Sequence, residues 1–297
     1  MSRLSNSYFI LSVLFILLLP VQGIASASEI RVMLYEAQQE GSYVPADVIE
    51  LEKAESLFYR TFQGENAEML RNEWNSIGFD LIELREKGIN YWVIQEKNNR
   101  KEGRGFYLFR INSNSMTTIQ APHSFKDLRT REIAFDLVLK SDYVAAAWNT
   151  VPRSYVKNGV TVDADMAHLD QTFYLVFSRA FAQHFAQGNL VQLHGYAVEK
   201  RTTTAGKASE LILSSGTSTP TSVLMQTVDC MKQKVSTKSL VYPYEVTELG
   251  ATTNTIGAAL REIGHEGFMH IEINRDVRER LLTEKKLQNN FNRCLPN

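Results

Sequence analysis

Helical and strand-like hydrophobic patterns alternate along most of this chain. Residues 45–75 carry apolar side chains at helical spacing, and short strand-like runs follow at 79–84, 91–94 and 105–109. From residue 117 onward, strand-like runs occur at 117–121, 143–147, 190–193, 211–213 and 269–273, and helical stretches at 131–140, 166–187 and 254–263. This alternation predicts an α/β fold, with a mostly parallel or mixed central sheet flanked by helices.

The pattern divides the chain into three parts. Residues 113–297 carry the α/β alternation, and residues 28–112 are predicted to form a small N-terminal α+β extension. Residues 1–27 have the pattern of a secretory signal peptide, because an apolar run from Tyr8 to Leu19 is followed by small residues that end at Ala27. That run is shorter than the roughly 20 residues that a membrane-spanning helix needs. We therefore expect an exported, periplasmic protein without a stable membrane anchor; an uncleaved anchor is the alternative.

Composition and charge narrow the range of functions. The chain has 297 residues, with 32 Lys or Arg against 33 Asp or Glu, and a formal net charge of -1. Nucleic-acid-binding proteins normally show a basic excess or a basic face, so we expect no nucleic-acid partner. The two cysteines, Cys230 and Cys294, are too few for a Cys-built zinc cluster, but they could form a disulfide in an exported protein. A functional site must therefore be built from histidine, carboxylate, arginine and hydroxyl groups.

Polar side chains occur at three predicted strand ends, where an apolar core would not accommodate them. His123 and Asp127 follow one strand, His194 ends a second, and Glu272 lies in the last. Open α/β sheets bind ligands at the carboxyl ends of their strands. Two histidines and a carboxylate are the ligand set of a catalytic zinc site, and a further carboxylate can accept a proton from water. The alternatives are structural, since Asp127 could cap the next helix and Glu272 could lie on the polar face of its strand.

Three short motifs surround these candidates: Ala121-Pro122-His123 with Asp127 and Thr130-Arg131-Glu132-Ile133, then His194-Gly195, then Ile271-Glu272-Ile273-Asn274-Arg275. In this order they resemble the poly-γ-glutamate hydrolase family, and the last is also similar to N-formylglutamate amidohydrolases. The resemblance covers roughly residues 117–280. It implies a zinc carboxypeptidase-like fold, with one zinc ion per chain on His123, Asp127 and His194, and with Glu272 as general base. The family usually has Glu in place of Asp127, which makes Glu132 an alternative ligand, and Ser124-Phe125-Lys126 replaces the glycines of its turn.

The same resemblance suggests contacts for a substrate carboxylate. In carboxypeptidase-like enzymes an Asn and an Arg from this region hold that group, and they correspond here to Asn149 and Arg153. The forked guanidinium of arginine can bind a carboxylate in two places, although a surface ion pair is the alternative for Arg153. His168 could face the site from a helix that Asp165 is expected to cap. Thr130 is a further candidate for substrate binding.

Together these observations predict an exported zinc-dependent hydrolase. It would cleave an amide bond in a carboxylate-bearing substrate, such as an N-acyl amino acid, a γ-glutamyl peptide or a cell-wall peptide. The alternative is a non-catalytic periplasmic binding or scaffold protein of the same fold. A metal-free esterase would need Ser215 as nucleophile, but the sequence around it lacks the Gly-x-Ser-x-Gly elbow.

Overall fold

A nine-stranded sheet organises residues 28–297, the part of the chain that the computed structural model describes. The strands are β1 (Phe79–Glu86), β2 (Ile89–Glu96), β3 (Phe106–Arg110), β4 (Thr117–Ala121), β5 (Ala145–Trp148), β6 (Ser154–Lys157), β7 (Val160–Asp163), β8 (Asn189–Tyr196), β9 (Leu211–Ser214), β10 (Ser239–Val241) and β11 (Phe268–Asn274). The helices are α1 (Glu29–Glu36), α2 (Val48–Phe62), α3 (Ala67–Ser76), α4 (Thr130–Lys140), α5 (Phe173–His184), α6 (Thr204–Ala208), α7 (Ser222–Lys234), α8 (Thr255–Glu262), α9 (Arg275–Thr283) and α10 (Lys285–Cys294). Helices α2, α3, α5 and α8 pack on one face of the sheet, and α1, α4, α7, α9 and α10 pack on the other.

The sheet is mixed, with a parallel centre. Its strand order is β1-β2-β3-β5-β4-β8-β11-β9-β10, while β6 and β7 form a separate hairpin. Strands β5, β4, β8 and β11 run parallel to one another, whereas β3 and β9 are antiparallel to their neighbours in this group. Parallel strands are buried on both faces, and every residue of β4 and β5 is buried. The predicted α/β fold with a mixed sheet flanked by helices is confirmed.

Residues 28–112 contribute strands to this same sheet. Strand β3 pairs along its length with β5, which continues the sheet from the N-terminal part into the rest of the chain. Helix α2 packs on α5, where the rings of Phe58 and Phe62 lie 5.3 and 5.4 Å from that of Phe177. The boundary expected near residue 112 therefore falls between two strands of one sheet. Hydrophobic periodicity locates strands but does not identify their hydrogen-bond partners.

Two helices are shorter than their hydrophobic patterns suggest. The helical region 45–75 is divided into α2 and α3, and Asn66 caps α3 with its side-chain oxygen. The helix expected from residue 166 begins only at Phe173, because the hydroxyl of Thr172 accepts the main-chain N–H of Leu175 at 3.0 Å and caps α5 there. Asp165 therefore does not cap this helix, and its carboxylate takes part in other contacts.

A disulfide joins Cys230 in α7 to Cys294 at the end of α10, with the Cα atoms 5.4 Å apart. The bond closes a sequence separation of 64 residues and ties the C-terminal helix to the sheet through α7. Within residues 28–297, no helix combines the length and the apolar character that crossing a membrane requires. The expected signal peptide, residues 1–27, lies outside the described residues.

Candidate metal centre

The segments at the carboxyl ends of β4, β8 and β11 bring His123, Asp127, His194 and Glu272 to one cavity. Glu272 is the register partner of His194 in the parallel β8–β11 pair, so both side chains lie on the same face of the sheet. After β4 the chain makes a helical turn in which the N–H of Asp127 donates to the carbonyl of His123 at 2.9 Å. This spacing places the two side chains on the same side of the turn. The four residues predicted to carry the chemistry are therefore neighbours.

Three side-chain atoms that could bind a metal, from His123, His194 and Asp127, lie close together in this cavity. Nδ1 of His123 lies 3.3 Å from Oδ2 of Asp127, and Nδ1 of His194 lies 3.5 Å from the same oxygen. The two Nδ1 atoms are 3.1 Å apart. Metal–ligand bonds of about 2.0–2.2 Å in a tetrahedral zinc site separate the ligand atoms by roughly 3.3–3.5 Å. The triangle therefore has the dimensions of one face of a tetrahedral metal site.

Hydrogen bonds on the far side of each imidazole orient the lone pairs. Nε2 of His123 lies 2.8 Å from Oδ1 of Asp165, and Nε2 of His194 lies 3.3 Å from Oε1 of Gln192. Both oxygens accept hydrogen bonds, so in each neutral imidazole Nε2 carries the hydrogen and Nδ1 presents a lone pair. Two lone pairs that face each other need a proton or a cation between them. Two imidazoles and a carboxylate in this arrangement fit a zinc ion.

The charges of the cluster depend on one another. Burial opposes the charged form of His123, but hydrogen bonds to Asp127 and Asp165 outweigh it and raise the pKa of this imidazole. Burial lowers the pKa of His194 to about 4. Burial would raise the pKa of Asp127, but its contacts with the imidazoles of His123 and His194 hold it well below its ordinary value. Asp127 is therefore a carboxylate anion beside two imidazoles, as a metal ligand must be.

Glu272 has the opposite surroundings. Burial, reinforced by the charge of Asp127, raises the pKa of Glu272 to about 8. Among residues 28–297, its Oε2 has no hydrogen-bond partner, and its Oε1 lies 3.7 Å from Nε2 of His270. His194, His270 and Glu272 each have a side-chain nitrogen or oxygen that could bind a metal, and these atoms lie within 4.8 Å of one another. Glu272 is therefore placed to exchange a proton with a molecule in the cavity.

The cavity has a volume of about 520 Å³, and its wall is rich in positive charge. Its cationic side chains are those of Lys126, Arg153, Lys200, Arg201 and Arg278, of which Arg153 pairs with Asp165 and Arg201 with Glu248. Lys126 and Lys200 are exposed and form no ion pair within the described part of the chain. Such a wall favours a ligand that carries an anionic group.

Gly195 shapes the site in two ways. Its main-chain N–H donates to Oδ2 of Asp127 at 3.1 Å and so holds the carboxylate in place. A Cβ atom at this position would lie 2.2 Å from Nη1 of Arg278, which itself donates to the carbonyl of Leu128 at 2.7 Å. The glycine after His194 therefore admits a guanidinium to the cavity wall.

The other predicted residues are divided between the cavity and the core. Arg153 lines the cavity and pairs with Asp165, and His168 is 44% exposed with its Nδ1 3.1 Å from the same carboxylate. Asn149 is fully buried and bonds to two main-chain groups, outside the cavity wall. Thr130 is also fully buried, and its hydroxyl donates to the carbonyl of Asp127.

Glu132 does not reach the cluster. Its carboxylate accepts hydrogen bonds from Arg131 and from the hydroxyl of Tyr35, both at 2.9 Å. The structure therefore supplies Asp127, and not Glu132, as the carboxylate between the two histidines.

Sequence reasoning missed the contact of Asp165 with His123. The two residues are 42 positions apart in the chain. The hairpin β6–β7 lies between Arg153 and Asp165, and the N–H of Ala164 donates to the carbonyl of Arg153 at 2.9 Å across its base. Asn158 and Gly159 at its tip both have positive φ, as a type I′ turn requires. This Asn-Gly pair was the sequence signal for the hairpin.

The sequence and the structure were compared with known proteins. No family model matches the sequence, and no curated protein matches it significantly. Among solved structures, the chain is similar to a bacteriophage poly-gamma-glutamate hydrolase, with a TM-score of 0.35 and 9% sequence identity over 61% of this chain and 82% of that one.

Proposed function

We propose that this protein is a zinc-dependent hydrolase that cleaves an amide bond in a substrate with an anionic group. The observation that carries the proposal is the triangle formed by His123 Nδ1, His194 Nδ1 and Asp127 Oδ2, whose sides of 3.1, 3.3 and 3.5 Å suit one metal ion. Gln192 and Asp165 turn both imidazole lone pairs towards the same point. A site with three protein ligands leaves a coordination position for water or substrate.

A bound zinc ion would polarise the substrate carbonyl and lower the pKa of a coordinated water. The chain's own contribution to the chemistry is the carboxylate of Glu272, which accepts a proton from the attacking water and donates it to the leaving nitrogen. A divalent cation nearby favours the charged form of this carboxylate, which its burial disfavours.

The substrate is expected to carry a carboxylate, because Lys126, Lys200 and Arg278 line the cavity and form no ion pair among residues 28–297. Arg153 and Arg201 also line it but are paired with Asp165 and Glu248. The resemblance of the sequence motifs to poly-γ-glutamate hydrolases and N-formylglutamate amidohydrolases favours an amide bond. N-acyl amino acids, γ-glutamyl peptides and cell-wall peptides combine these features. Export to the periplasm belongs to the proposal through the pattern of residues 1–27.

Elemental analysis of protein purified without chelators tests the metal site. We expect about one zinc per chain in the wild type and none in His194→Ala, which loses one of three ligands. His184→Ala is the matched control, because this histidine lies at the end of α5 outside the cavity, and it should retain the metal. A wild type that contains no metal and takes up none on titration would support the non-catalytic binding protein instead.

A further inference from the structure

A line of buried amide side chains leads from the core to His194. Gln120 in β4 and Gln192 in β8 are both fully buried on the sheet face that α5 and α8 cover. The Nε2 of Gln120 donates to the hydroxyl oxygen of Ser178 in α5, and the Nε2 of Gln192 donates to Oε1 of Gln120, each at 2.8 Å. Side-chain amides in the interior must have partners, and these two are joined in a chain.

Both ends of this chain impose the same direction on it. At one end the hydroxyl of Ser178 donates to the carbonyl of Tyr174, so its oxygen accepts from Gln120. At the other end Oδ1 of Asn254 accepts the main-chain N–H of Gly257, so the Nδ2 of Asn254 donates to Oε1 of Gln192 at 2.8 Å. Main-chain groups have fixed donor and acceptor roles. The amide oxygen of Gln192 must therefore face His194.

We propose that Gln192 is a positioning residue that selects the metal-binding tautomer of His194. Its oxygen lies 3.3 Å from Nε2 of His194, accepts the hydrogen there and leaves Nδ1 with a free lone pair towards Asp127 and His123. In the other tautomer the hydrogen would lie on Nδ1, and two acceptors would face each other at Gln192. The inference rests on the proposed metal site and adds the residue that prepares one ligand before metal binds.

The test is zinc affinity, measured by competition with a chromophoric chelator, in two matched variants. Gln192→Met removes the acceptor at nearly constant size and should weaken zinc binding about 10- to 100-fold, as loss of a partner behind a ligand typically does. Gln120→Met breaks the same chain at an equally buried position, but Asn254 still directs the Gln192 oxygen to His194. It should change zinc affinity less than about threefold. Equal losses in the two variants would assign Gln192 a purely structural role and overturn the proposal.

The tautomer itself is read from nitrogen chemical shifts of His194 in metal-free wild-type protein. We expect a protonated Nε2 and an unprotonated Nδ1. The opposite pattern would overturn the role of Gln192, even if the Gln192→Met variant fails to fold. This measurement also separates the two hypotheses, because a wild type that binds no zinc would refute the metal centre while the tautomer still reports on Gln192.

Discussion

At the scale of single residues, the surroundings of two carboxylates differ in the way that the proposed roles of metal ligand and general base require. Asp127 accepts the N–H of Gly195 and contacts two imidazoles, which keep it ionised. Glu272 is buried with an oxygen that has no partner among residues 28–297, which favours its protonated form. Such opposed environments are typical of sites where one acid binds and another transfers protons. The sequence predicted both acids from their positions at strand ends, but their neighbours come from distant segments that no local pattern reveals.

Glu272→Gln keeps the size of the side chain and removes its ability to accept a proton. Hydrolysis of an N-acyl amino acid or γ-glutamyl peptide that the wild type cleaves should fall by about 10²–10⁴-fold. Zinc content, measured by elemental analysis, should stay at the wild-type level. Glu279→Gln is the control, since Glu279 lies on the surface in an ion pair with Arg129. A Glu272→Gln enzyme with full activity would exclude this carboxylate as the base.

At the scale of elements, strands were predicted more accurately than helix ends. Strands β4, β8 and β11 lie within a few residues of the strand-like runs predicted at 117–121, 190–193 and 269–273, so their positions follow from the pattern. The start of α5 could not be predicted in this way, because Met166 and Leu169 continue the helical spacing before the N-cap at Thr172. This error concealed Asp165, which lies in the turn before the helix and holds His123. A helical pattern reports burial on one side of a segment, and a turn can satisfy it as well.

Glu96, at the end of strand β2, is a buried carboxylate whose ionisation lowers the free energy of unfolding. Glu96 accepts the main-chain N–H groups of Glu102 at 2.6 Å and Gly103 at 3.1 Å, but burial still raises its pKa to about 7. The unfolded chain releases this proton near pH 4.5, whereas the native protein keeps it until about pH 7. The free energy of unfolding contributed by Glu96 therefore falls as pH rises through this window, by about 3 kcal/mol.

Glu96→Gln should remove that pH dependence. Urea unfolding at pH 5 and pH 8 should show the wild type losing about 3 kcal/mol more than the variant between the two conditions. The exposed Glu83 in the neighbouring strand β1 provides the control Glu83→Gln, which should follow the wild type. If Glu96→Gln and the wild type lost the same free energy, the native carboxyl group would have an ordinary pKa.

At the scale of the whole molecule, one sheet and one disulfide connect segments that are far apart in sequence. The sheet joins the N-terminal strands to the parallel centre through the β3–β5 pair. The disulfide joins α7 and α10 on one face of the sheet. Helices α5 and α8 lie on the opposite face, where they cover Gln192 and the other buried amides behind His194. The sequence identified the two cysteines as a candidate pair, but only the fold shows that their Cα atoms are close enough for a disulfide. Stability and metal binding should therefore be separable in this protein.

Replacing both cysteines by serine tests that separation. Opening a loop of 64 residues should lower the free energy of unfolding by about 4 kcal/mol in the chain-entropy description. Urea unfolding of the variant should match that of reduced wild-type protein, while zinc content under native conditions stays unchanged. Loss of zinc from the still-folded variant would show that the disulfide supports the metal centre.

The hairpin β6–β7 offers a practical route to observe the site. Its base is held by Arg153 and Asp165 beside the cavity, while Val156 and Val160 near its tip are 71% and 65% exposed. Both native cysteines are engaged in the disulfide, so a single cysteine placed at Asn158 would be the one free thiol of the oxidised chain. A fluorophore attached there would sit on a short, two-stranded hairpin whose base lies beside the cavity. Its emission would then report the arrival of metal or substrate without any change to the residues that bind them.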